Sequence, residues 1–401
     1  MRILQINCVY KVGSTGKIVD CIGNVLRSRG HEVYTCYGIG EKFYDNYSQK
    51  ICYNLEHRFN ALLMRLRGIP YGGVFVSNWK FKQIIKCFQP DVVHVHCINA
   101  SMINVYSLLK YLANNQIKTV VTLHAEIYHT AGCEHAYDCE KYKTYCHHCE
   151  LNQRKRTSWL FDRTKESWQK MYNAFNRFDS NNIIITAVSP WLADRARQSA
   201  ILRTFKIEYV PNGVNTSIFY YRNNVGLIDR KTYKKIILFV TPFFNHEETD
   251  VKGGRFIPLM AEMLPDYLFV VVSSRTARRL RPMPVNVLLW GAVKNQEELA
   301  QLYSEADVTL LLSRRETFSM VTAESLCCGT PVVGFKAGGP ESVAPKDFCH
   351  FVEFGDLSNM SKIIREVFAT DKQVISNQCI ATFSKESMAG HYLMTYRSLV
   401  S

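Results

Sequence analysis

The strongest constraint on the fold is an alternation that runs through both halves of the chain. Short apolar segments rich in β-branched residues alternate with segments whose apolar residues recur at helical spacing, as in Gly16–Arg29. Strands that alternate with helices form parallel sheets with right-handed crossovers, and this many strands favours two doubly wound sheets. The predicted strands are Ile3–Asn7, Glu32–Tyr37, Asp91–His96, Lys118–Leu123, Ile183–Val188, Ile207–Val210, Lys235–Val240, Leu268–Ser273, Val287–Leu289, Val308–Leu312 and Pro331–Phe335.

The length and the turn signals predict where two domains would meet. A chain of 401 residues is natural for two domains, and Pro211-Asn-Gly followed by a polar stretch marks a linker. We expect an α/β protein with two Rossmann-like doubly wound domains that face a ligand-binding cleft. The predicted domains are residues 1–215 and 216–382, with a C-terminal helix in 383–401 that crosses back to the first domain.

The composition restricts the compartment and the partners. No window approaches 18 unbroken apolar residues, and Met1–Asn7 resembles a buried strand more than a signal peptide, so a cytoplasmic protein is expected. The formal net charge of +14 indicates an anionic partner, which could be nucleic acid, a phosphorylated metabolite or an acidic lipid surface.

The most informative motif follows the predicted strand Val308–Leu312. Glu316 lies in the loop after the strand, Ser319 can cap the next helix, and Glu324 falls in the first half of that helix. Backbone N–H groups at a helix start favour phosphate oxygens, and a carboxylate can accept two hydrogen bonds from a vicinal diol. Two solvated acids at a helix start are the alternative.

Glu316, seven intervening residues, Glu324 and then Gly329-Thr-Pro-Val-Val resemble the signature of glycosyltransferase family 4, which has the GT-B fold. The resemblance implies a retaining enzyme that uses a nucleotide-diphosphate sugar. It assigns the donor sugar to Glu316, Phe318 and Ser319, and the ribose to Glu324. It also implies front-face attack, with the leaving phosphate taking the acceptor proton. No Asp-x-Asp motif lies at a strand end, so no cofactor is expected to be required for catalysis.

Two further segments agree with this resemblance. In the family, a Lys at the position of Lys252 neutralises the departing diphosphate, where negative charge develops. The Arg that usually precedes this Lys is absent, and Arg255 or Arg275 could replace it. In the family, a glycine-rich loop like Val12–Lys17, which contains Gly16, faces the donor phosphates and the acceptor. Its spacing excludes a Walker A motif, and a plain tight turn is the alternative.

Histidines mark the predicted acceptor side. His124 ends a strand at a position where family members commonly carry His near the bond that breaks, and Glu126 could orient it or bind the acceptor hydroxyl. His94 and His96 alternate on one strand face, so His96 could reach the strand end while His94 is expected in the core.

Four cysteines in residues 129–150 could hold a structural Zn²⁺. Cys133, Cys139, Cys146 and Cys149 have the spacing Cys-x5-Cys-x6-Cys-x2-Cys, and four thiolates can close a tetrahedral site. A subset of family 4 enzymes for exopolysaccharide and O-antigen assembly carries a similar insert. Unliganded thiols or redox-labile pairs are the alternatives.

A basic aromatic stretch, Arg154–Tyr172, follows the cysteines. Trp159, Leu160, Phe161 and Trp168 alternate with cations, which suits either an anionic membrane surface or a helix whose aromatic residues fill the core.

The sequence therefore predicts a glycosyltransferase at the inner face of the cell membrane that extends a lipid-linked saccharide for a surface polysaccharide. Its partners would be the donor, the acceptor and an anionic membrane, and not nucleic acid. The alternatives are a basic, zinc-containing nucleic-acid-binding protein, or a sugar-nucleotide epimerase or phosphorylase on the same fold.

Overall fold

The structure is a computed structural model that describes residues 1–98, 101–130, 132–150, 161–230, 233–278, 280, 282–366 and 371–401. The chain divides into two compact units. The first comprises Met1–Pro211 with Met388–Ser401, and the second comprises Asn212–Ser387. Among the described residues, every helix is too short or too polar to cross a lipid bilayer.

The first unit is built on a parallel sheet with helices around it. Its described strands are β1 (Arg2–Asn7), β2 (Glu32–Tyr37), β3 (Ser48–Lys50), β4 (Val92–Val95), β5 (Thr119–Leu123), β6 (Ile183–Ala187) and β7 (Ile207–Tyr209). The described helices are α1 (Gly13–Ser28), α2 (Asn54–Arg67), α3 (Val76–Phe88), α4 (Val105–Asn114), α5 (Thr164–Phe175) and α6 (Pro190–Gln198). The strands lie in the order β3-β2-β1-β4-β5-β6-β7. Strands β4, β5 and β6 are buried along their whole length, which explains their continuous apolar sequences.

The second unit repeats this plan. Its described strands are β8 (Lys235–Phe244), β9 (Tyr267–Thr276), β10 (Val287–Gly291), β11 (Val308–Leu311), β12 (Val332–Phe335) and β13 (Cys349–Val352), in the order β10-β9-β8-β11-β12-β13. The described helices are α7 (Phe256–Met263), α8 (Gln296–Glu305), α9 (Met320–Cys327), α10 (Gly339–Val343), α11 (Leu357–Glu366) and α12 (Lys372–Phe383). Its core packs Phe239, Phe269, Leu310 and Val333 from four neighbouring strands.

The last helix, α13 (Lys385–Val400), lies mostly in the first unit. The Tyr392 hydroxyl lies 3.1 Å from Thr122 Oγ1 of β5, and Thr395 Oγ1 donates to Glu208 of β7 at 2.6 Å. These contacts hold the last helix against β5 and β7 of the first sheet.

The predicted fold class is confirmed, since both sheets are parallel and the second has the strand order 3-2-1-4-5-6 of Rossmann folds, which the first extends by a seventh strand, β7. The order reverses between β1 and β4 in the first sheet and between β8 and β11 in the second. Sequence analysis missed β3 and β13, because both are short edge strands and β3, Ser48-Gln-Lys, has no apolar run.

Candidate functional site

The predicted site residues follow the carboxyl ends of strands at or next to the two reversal points. In the first unit, Gly16 follows β1, His96 follows β4 and His124 follows β5. In the second unit, Lys252 follows β8 and Glu316 follows β11. Ligands of open α/β sheets bind at this edge, so each unit presents its candidate residues where the fold leaves a crevice.

In the second unit the structure joins Lys252 to Glu316. Lys252 Nζ donates to Glu316 Oε1 at 2.5 Å, and Ser313 Oγ donates to the same oxygen at 2.8 Å. The Lys252 and Glu316 side chains remain 36% and 17% exposed. The ion pair is therefore preorganised and still open to a ligand.

The loop that carries Lys252 is held by a carboxylate and a glycine. Asp250 accepts hydrogen bonds from the backbone N–H of Lys252 at 3.0 Å and of Gly254 at 3.2 Å. Gly253 has φ +79°, and a Cβ there would lie 2.2 Å from the Leu312 carbonyl oxygen. Only glycine allows this loop to pass so close to the end of β11.

The loop that carries Glu316 is fixed by backbone hydrogen bonds on both sides. Glu316 N–H donates to the Ala337 carbonyl at 3.0 Å, and Gly339 N–H donates to the Glu316 carbonyl at 2.9 Å. A Cβ on Gly339 would lie 2.2 Å from the Thr317 oxygen, so this approach also requires glycine.

The start of α9 is as the sequence predicts. Ser319 is the N-cap, and its hydroxyl accepts from Thr322 N–H at 3.2 Å. Its φ of +77° is unusual for a residue other than glycine, and such strain is typical of functional sites. Phe318 is buried against Phe383, with ring centres 6.1 Å apart, and half-buried Glu324 accepts from the Tyr303 hydroxyl at 3.3 Å.

A cavity of about 160 Å³ lies beside the ends of β8 and β9 and the first turn of α9. Its walls are largely apolar. The lining residues are Val240, Thr241, Pro242, Val272, Ser274, Val293, Leu299 and Val321. Such a slot suits a flat ring with a few polar edge atoms.

The two proposed replacements for the family's missing Arg are placed differently. Arg255 Nη1 donates to the Glu248 carbonyl at 2.8 Å, and its guanidinium lies 4.8 Å from the Phe256 ring centre. These contacts hold the Arg255 side chain against its own loop. Arg275 lies exposed near the end of β9.

In the first unit, hydrogen bonds determine which nitrogen of His96 and of His124 carries the proton. Gln5 Nε2 donates to the Val19 carbonyl at 3.4 Å, which turns Gln5 Oε1 towards His96 Nε2 at 3.2 Å. An amide oxygen can only accept, so His96 carries its proton on Nε2 and accepts through Nδ1. His124 Nε2 lies 3.2 Å from that Nδ1 and must donate. His124 therefore has its lone pair on Nδ1.

All three histidines are neutral at physiological pH. Burial lowers the pKa of His124 to about 4. Burial lowers the pKa of His94 and His96 well below the ordinary value, and neighbouring histidines lower both further. His94 lies in the core as predicted, with its nitrogens 2.6 Å from Tyr396 Oη and 2.7 Å from Thr122 Oγ1. His96 is fully buried, which makes it a support for His124.

The glycine-rich segment is a helix start and not a loop. Helix α1 begins at Gly13, three residues earlier than predicted, and its N-terminus has no side-chain cap. Gly16 is buried in the first turns, and a Cβ there would lie 3.1 Å from Val9 Cγ2 and 3.3 Å from Lys11 N. The uncapped N–H groups leave this turn suited to an anionic ligand.

Glu126 has a structural role in this molecule. Its fully buried carboxylate accepts from Arg195 Nε at 2.5 Å, from Ala136 N–H at 2.6 Å and from His129 Nε2 at 3.4 Å. Burial raises its pKa, but His129, Arg195 and the Ala136 N–H together lower it to about 2. The carboxylate thus ties the cysteine-rich segment to α6, and its partners leave it little capacity to bind an acceptor.

The structure gives the zinc hypothesis no site. In the part of the chain that it describes, no three His, Cys, Asp or Glu side chains are arranged to hold a metal ion. Cys146 is buried, whereas Cys133, Cys139 and Cys149 are partly exposed. Local hydrogen bonds shape the segment, including that from Cys149 N–H to Asp162 at 2.8 Å.

The basic aromatic stretch divides at the start of α5. Trp168 and Met171 are buried, and the Trp168 and Tyr172 rings stack with centres 5.2 Å apart, so this part fills the core. Phe161 is 53% exposed. Residues 151–160, which include Arg154, Trp159 and Leu160, lie outside the described residues.

Sequence analysis missed the partners of the site residues. Ser313 supports Glu316, Tyr303 supports Glu324, and Gln5 supports His96. Ser313 stands three residues before Glu316 and could have been noticed. The other two pairs are brought together only by the fold.

Comparisons with known proteins agree with this geometry. Residues 16–218 match the family profile "Glycosyltransferase Family 4", and residues 234–370 match "Glycosyl transferases group 1". The N-acetyl-alpha-D-glucosaminyl L-malate synthase of Bacillus anthracis is 23% identical over 89% of this chain and 85% of its own. The putative colanic acid biosynthesis glycosyl transferase WcaC of Escherichia coli (strain K12) is 23% identical over the full length of both.

The fold itself matches a solved GT-B structure. HepE of Anabaena, crystallised in complex with UDP, superposes with a TM-score of 0.64 at 15% identity over 99% of this chain and 100% of HepE. At that identity the likeness shows the fold alone.

Proposed function

Because this chain belongs to Glycosyltransferase Family 4 and is a glycosyltransferase, we propose that it transfers a sugar from a nucleotide-diphosphate sugar to a saccharide acceptor. The observation that carries the proposal is the Lys252–Glu316 ion pair, held at the strand-order reversal of the second sheet. A preformed cation and a hydroxyl-binding carboxylate are what a departing diphosphate and a sugar require.

In this proposal the second unit binds the donor. The base lies in the cavity beside β8 and β9, and Glu324 accepts from the ribose hydroxyls. Glu316, with the backbone at Phe318 and Ser319, holds the sugar. Lys252 then neutralises the diphosphate as its bond to the sugar breaks, because a fixed cation stabilises charge that develops there. The crystal structure of HepE in complex with UDP supports a nucleotide as a ligand of this fold.

The first unit supplies an uncharged polar group. We assign His124 to the donor sugar, where its Nδ1 lone pair accepts a hydrogen bond from a hydroxyl. The low pKa of His124, caused by burial, keeps the ring uncharged at neutral pH. The first turn of α1, with Gly16, offers N–H groups to the phosphates.

Retention of configuration is part of the proposal. Lys252 and Ser313 both hold one oxygen of the Glu316 carboxylate, which favours a binding role for it over a nucleophilic one. Front-face attack, in which the leaving phosphate takes the acceptor proton, needs only positioning and charge stabilisation from the protein. We assign no role to a divalent metal ion.

We further propose a lipid-linked acceptor for surface polysaccharide synthesis at the inner face of the cell membrane. The full-length likeness to a putative colanic acid biosynthesis glycosyl transferase and the net charge of +14 support this assignment.

The test is a thermal-shift screen with UDP-, GDP- and ADP-sugars, followed by a product assay with lipid-linked saccharides. We expect one nucleotide class to raise the melting temperature and one sugar to reach the acceptor. Stabilisation by oligonucleotides and by none of the nucleotides would favour a nucleic-acid-binding protein, and donor conversion without acceptor would favour an epimerase or phosphorylase.

A further inference from the structure

Helix α2 has its polar and apolar faces reversed. In α2 the buried residues are Glu56 and Asn60, one helical turn apart. Leu55, Phe59, Leu62 and Leu66, here called the α2 stripe, point outward with exposed fractions between 39% and 80%. An ordinary surface helix turns its apolar stripe to the core, so this arrangement needs a reason.

The buried polar pair holds the connection between α2 and α3. Glu56 Oε1 accepts from Ser77 N–H at 2.9 Å. Asn60 Oδ1 accepts from Val74 N–H at 2.9 Å, and its Nδ2 donates to the Ser101 carbonyl at 3.1 Å. These contacts fix the orientation of α2, so the stripe is held outward by the fold itself.

The connection extends the exposed apolar surface. Phe75, Val76 and Trp79 are 65%, 45% and 61% exposed. A groove of about 560 Å³ beside α2 has a nearly apolar lining, formed by Tyr53, Asn54, Leu55, Glu56, Phe59, Val74 and Val76. Contiguous apolar surface of this kind marks an interaction site.

The segment that carries this surface is basic. Residues 51–90 contain six Lys and Arg residues and a single acid, the buried Glu56. Arg58, Arg65 and Arg67 are exposed beside the stripe on α2. Lys80 lies over the Tyr53 ring, 3.4 Å from its centre. Two copies meeting through this face would bring like charges together, whereas an anionic bilayer satisfies both the cations and the apolar stripe.

We propose that the α2 stripe, with Trp79 and the surrounding cations, inserts into the interface of an anionic membrane. A helix of 14 residues, about 21 Å long, would lie in the membrane plane. This inference rests on the proposed function, because docking would hold the enzyme beside a lipid-linked acceptor. It also adds α2 and the start of α3 to the membrane contact predicted at Arg154–Tyr172.

The test is co-sedimentation of the full chain with vesicles of phosphatidylcholine alone and with about one third phosphatidylglycerol. We expect at least roughly tenfold tighter binding to the anionic vesicles. The double variant Leu55→Ser/Leu62→Ser should lose about tenfold or more of that affinity. Replacing Arg58, Arg65 and Arg67 with Gln should cost about fivefold per cation.

The controls are Leu259→Ser, which changes an equally exposed leucine of α7, and Lys346→Gln, which changes an exposed lysine of the second unit. Both should bind vesicles like the wild type. Equal vesicle binding by the wild type and the Leu55→Ser/Leu62→Ser variant would overturn the proposal. So would a wild-type dimer in sedimentation velocity that this variant converts to monomer, because a second copy would then cover the stripe.

Nucleotide affinity separates this inference from the proposed function. The Leu55→Ser/Leu62→Ser variant should keep wild-type affinity for the nucleotide identified by thermal shift. Vesicle binding without any nucleotide binding would contradict the proposed function alone. Nucleotide binding and transfer to a water-soluble acceptor, without vesicle binding, would contradict the docking surface alone.

Discussion

The two units share one strand order but differ in what they place at its reversal point. The first unit places neutral histidines there: His96 is buried, His124 is half-buried, and hydrogen bonds link Gln5, His96 and His124. The second places the partly exposed ion pair of Lys252 and Glu316. The fold therefore decides where chemistry can occur, and the side chains at the strand ends decide which chemistry it is.

The difference also determines how each side responds to a ligand. The ion pair can exchange partners when a diphosphate arrives, because its members are solvent-accessible and charged. Protonation of His94, His96 or His124 is unfavourable at neutral pH, since burial lowers the pKa of each ring. We infer that the second unit stabilises developing charge, whereas the first unit positions hydroxyl groups.

The largest effect is expected from Lys252→Ala. Loss of the cation that meets the leaving diphosphate should lower kcat by about 100- to 1000-fold, measured with saturating donor. Arg255→Ala is the matched control, because Arg255 donates to the Glu248 carbonyl of its own loop, and it should retain near wild-type kcat. Similar losses of kcat in both variants would contradict a specific role for Lys252 in neutralising the leaving diphosphate.

Separate substitutions of Glu316 and Glu324 should distinguish a role in turnover from a role in nucleotide binding. Glu324→Ala should weaken nucleotide affinity by about 10- to 100-fold, the value of hydrogen bonds to a charged group. Glu316→Ala should chiefly lower kcat. Isothermal titration and initial rates distinguish these effects, and Tyr303→Phe, which removes only the donor to Glu324, should change affinity by less than about tenfold. Unchanged nucleotide affinity in Glu324→Ala would refute the division.

A smaller effect is expected from removing the hydrogen bond between Gln5 and His96. Gln5→Leu should lower kcat by about tenfold, the value of one lost hydrogen bond, without changing nucleotide affinity. The ¹⁵N NMR shifts of His124 should report a proton on Nε2 in the wild type and a mixture of tautomers in Gln5→Leu. The exposed Gln49→Leu is the control. A wild-type His124 protonated on Nδ1 would contradict the inferred hydrogen bonds from Gln5 through His96 to His124.

The last expected effect is a loss of stability in mild acid. The unfolded chain binds protons at the ordinary histidine pKa of 6.5, whereas folded His124 does so only near 4. Stability is therefore complete above about pH 6.5 and falls as the pH approaches 4, by up to about 1.4 kcal/mol per pH unit for each such histidine.

Urea unfolding at pH 7 and pH 5 checks this dependence. His96→Phe should reduce the difference between the two pH values, because it removes one of the buried titrating rings. His350→Gln, which changes an exposed ring on β13, should leave the difference unchanged. A larger stability at pH 5 than at pH 7 would show that the rings are not buried in the neutral form.

The fold and the charged residues of the site could be predicted from the sequence, because periodicity and motif spacing are local properties. The helix cap at Ser319 and the parallel sheets follow from such patterns. The partners Gln5 and Tyr303 could not be found, since only folding brings Gln5 to His96, 91 residues away, and Tyr303 to Glu324. These assignments of role to the site residues stay predictions.

Two sequence patterns leave a property of the structure open. The cysteine spacing suits zinc, but in the part of the chain that the structure describes no three His, Cys, Asp or Glu side chains are arranged to hold a metal ion, and hydrogen bonds to Glu126 and Asp162 shape that segment. Helical spacing in α2 predicts an apolar face but not which way it turns. The buried contacts of Glu56 and Asn60 decide that direction.

The most direct test of the account compares the affinities of nucleoside diphosphate and monophosphate for the wild type and Lys252→Ala. With the base that stabilises the protein, titration calorimetry should show the diphosphate binding at least about tenfold tighter to the wild type. Lys252→Ala should bind both with similar affinity. Equal preference for the diphosphate in the two proteins, or no nucleotide binding by the wild type, would contradict the donor site at the Lys252–Glu316 pair.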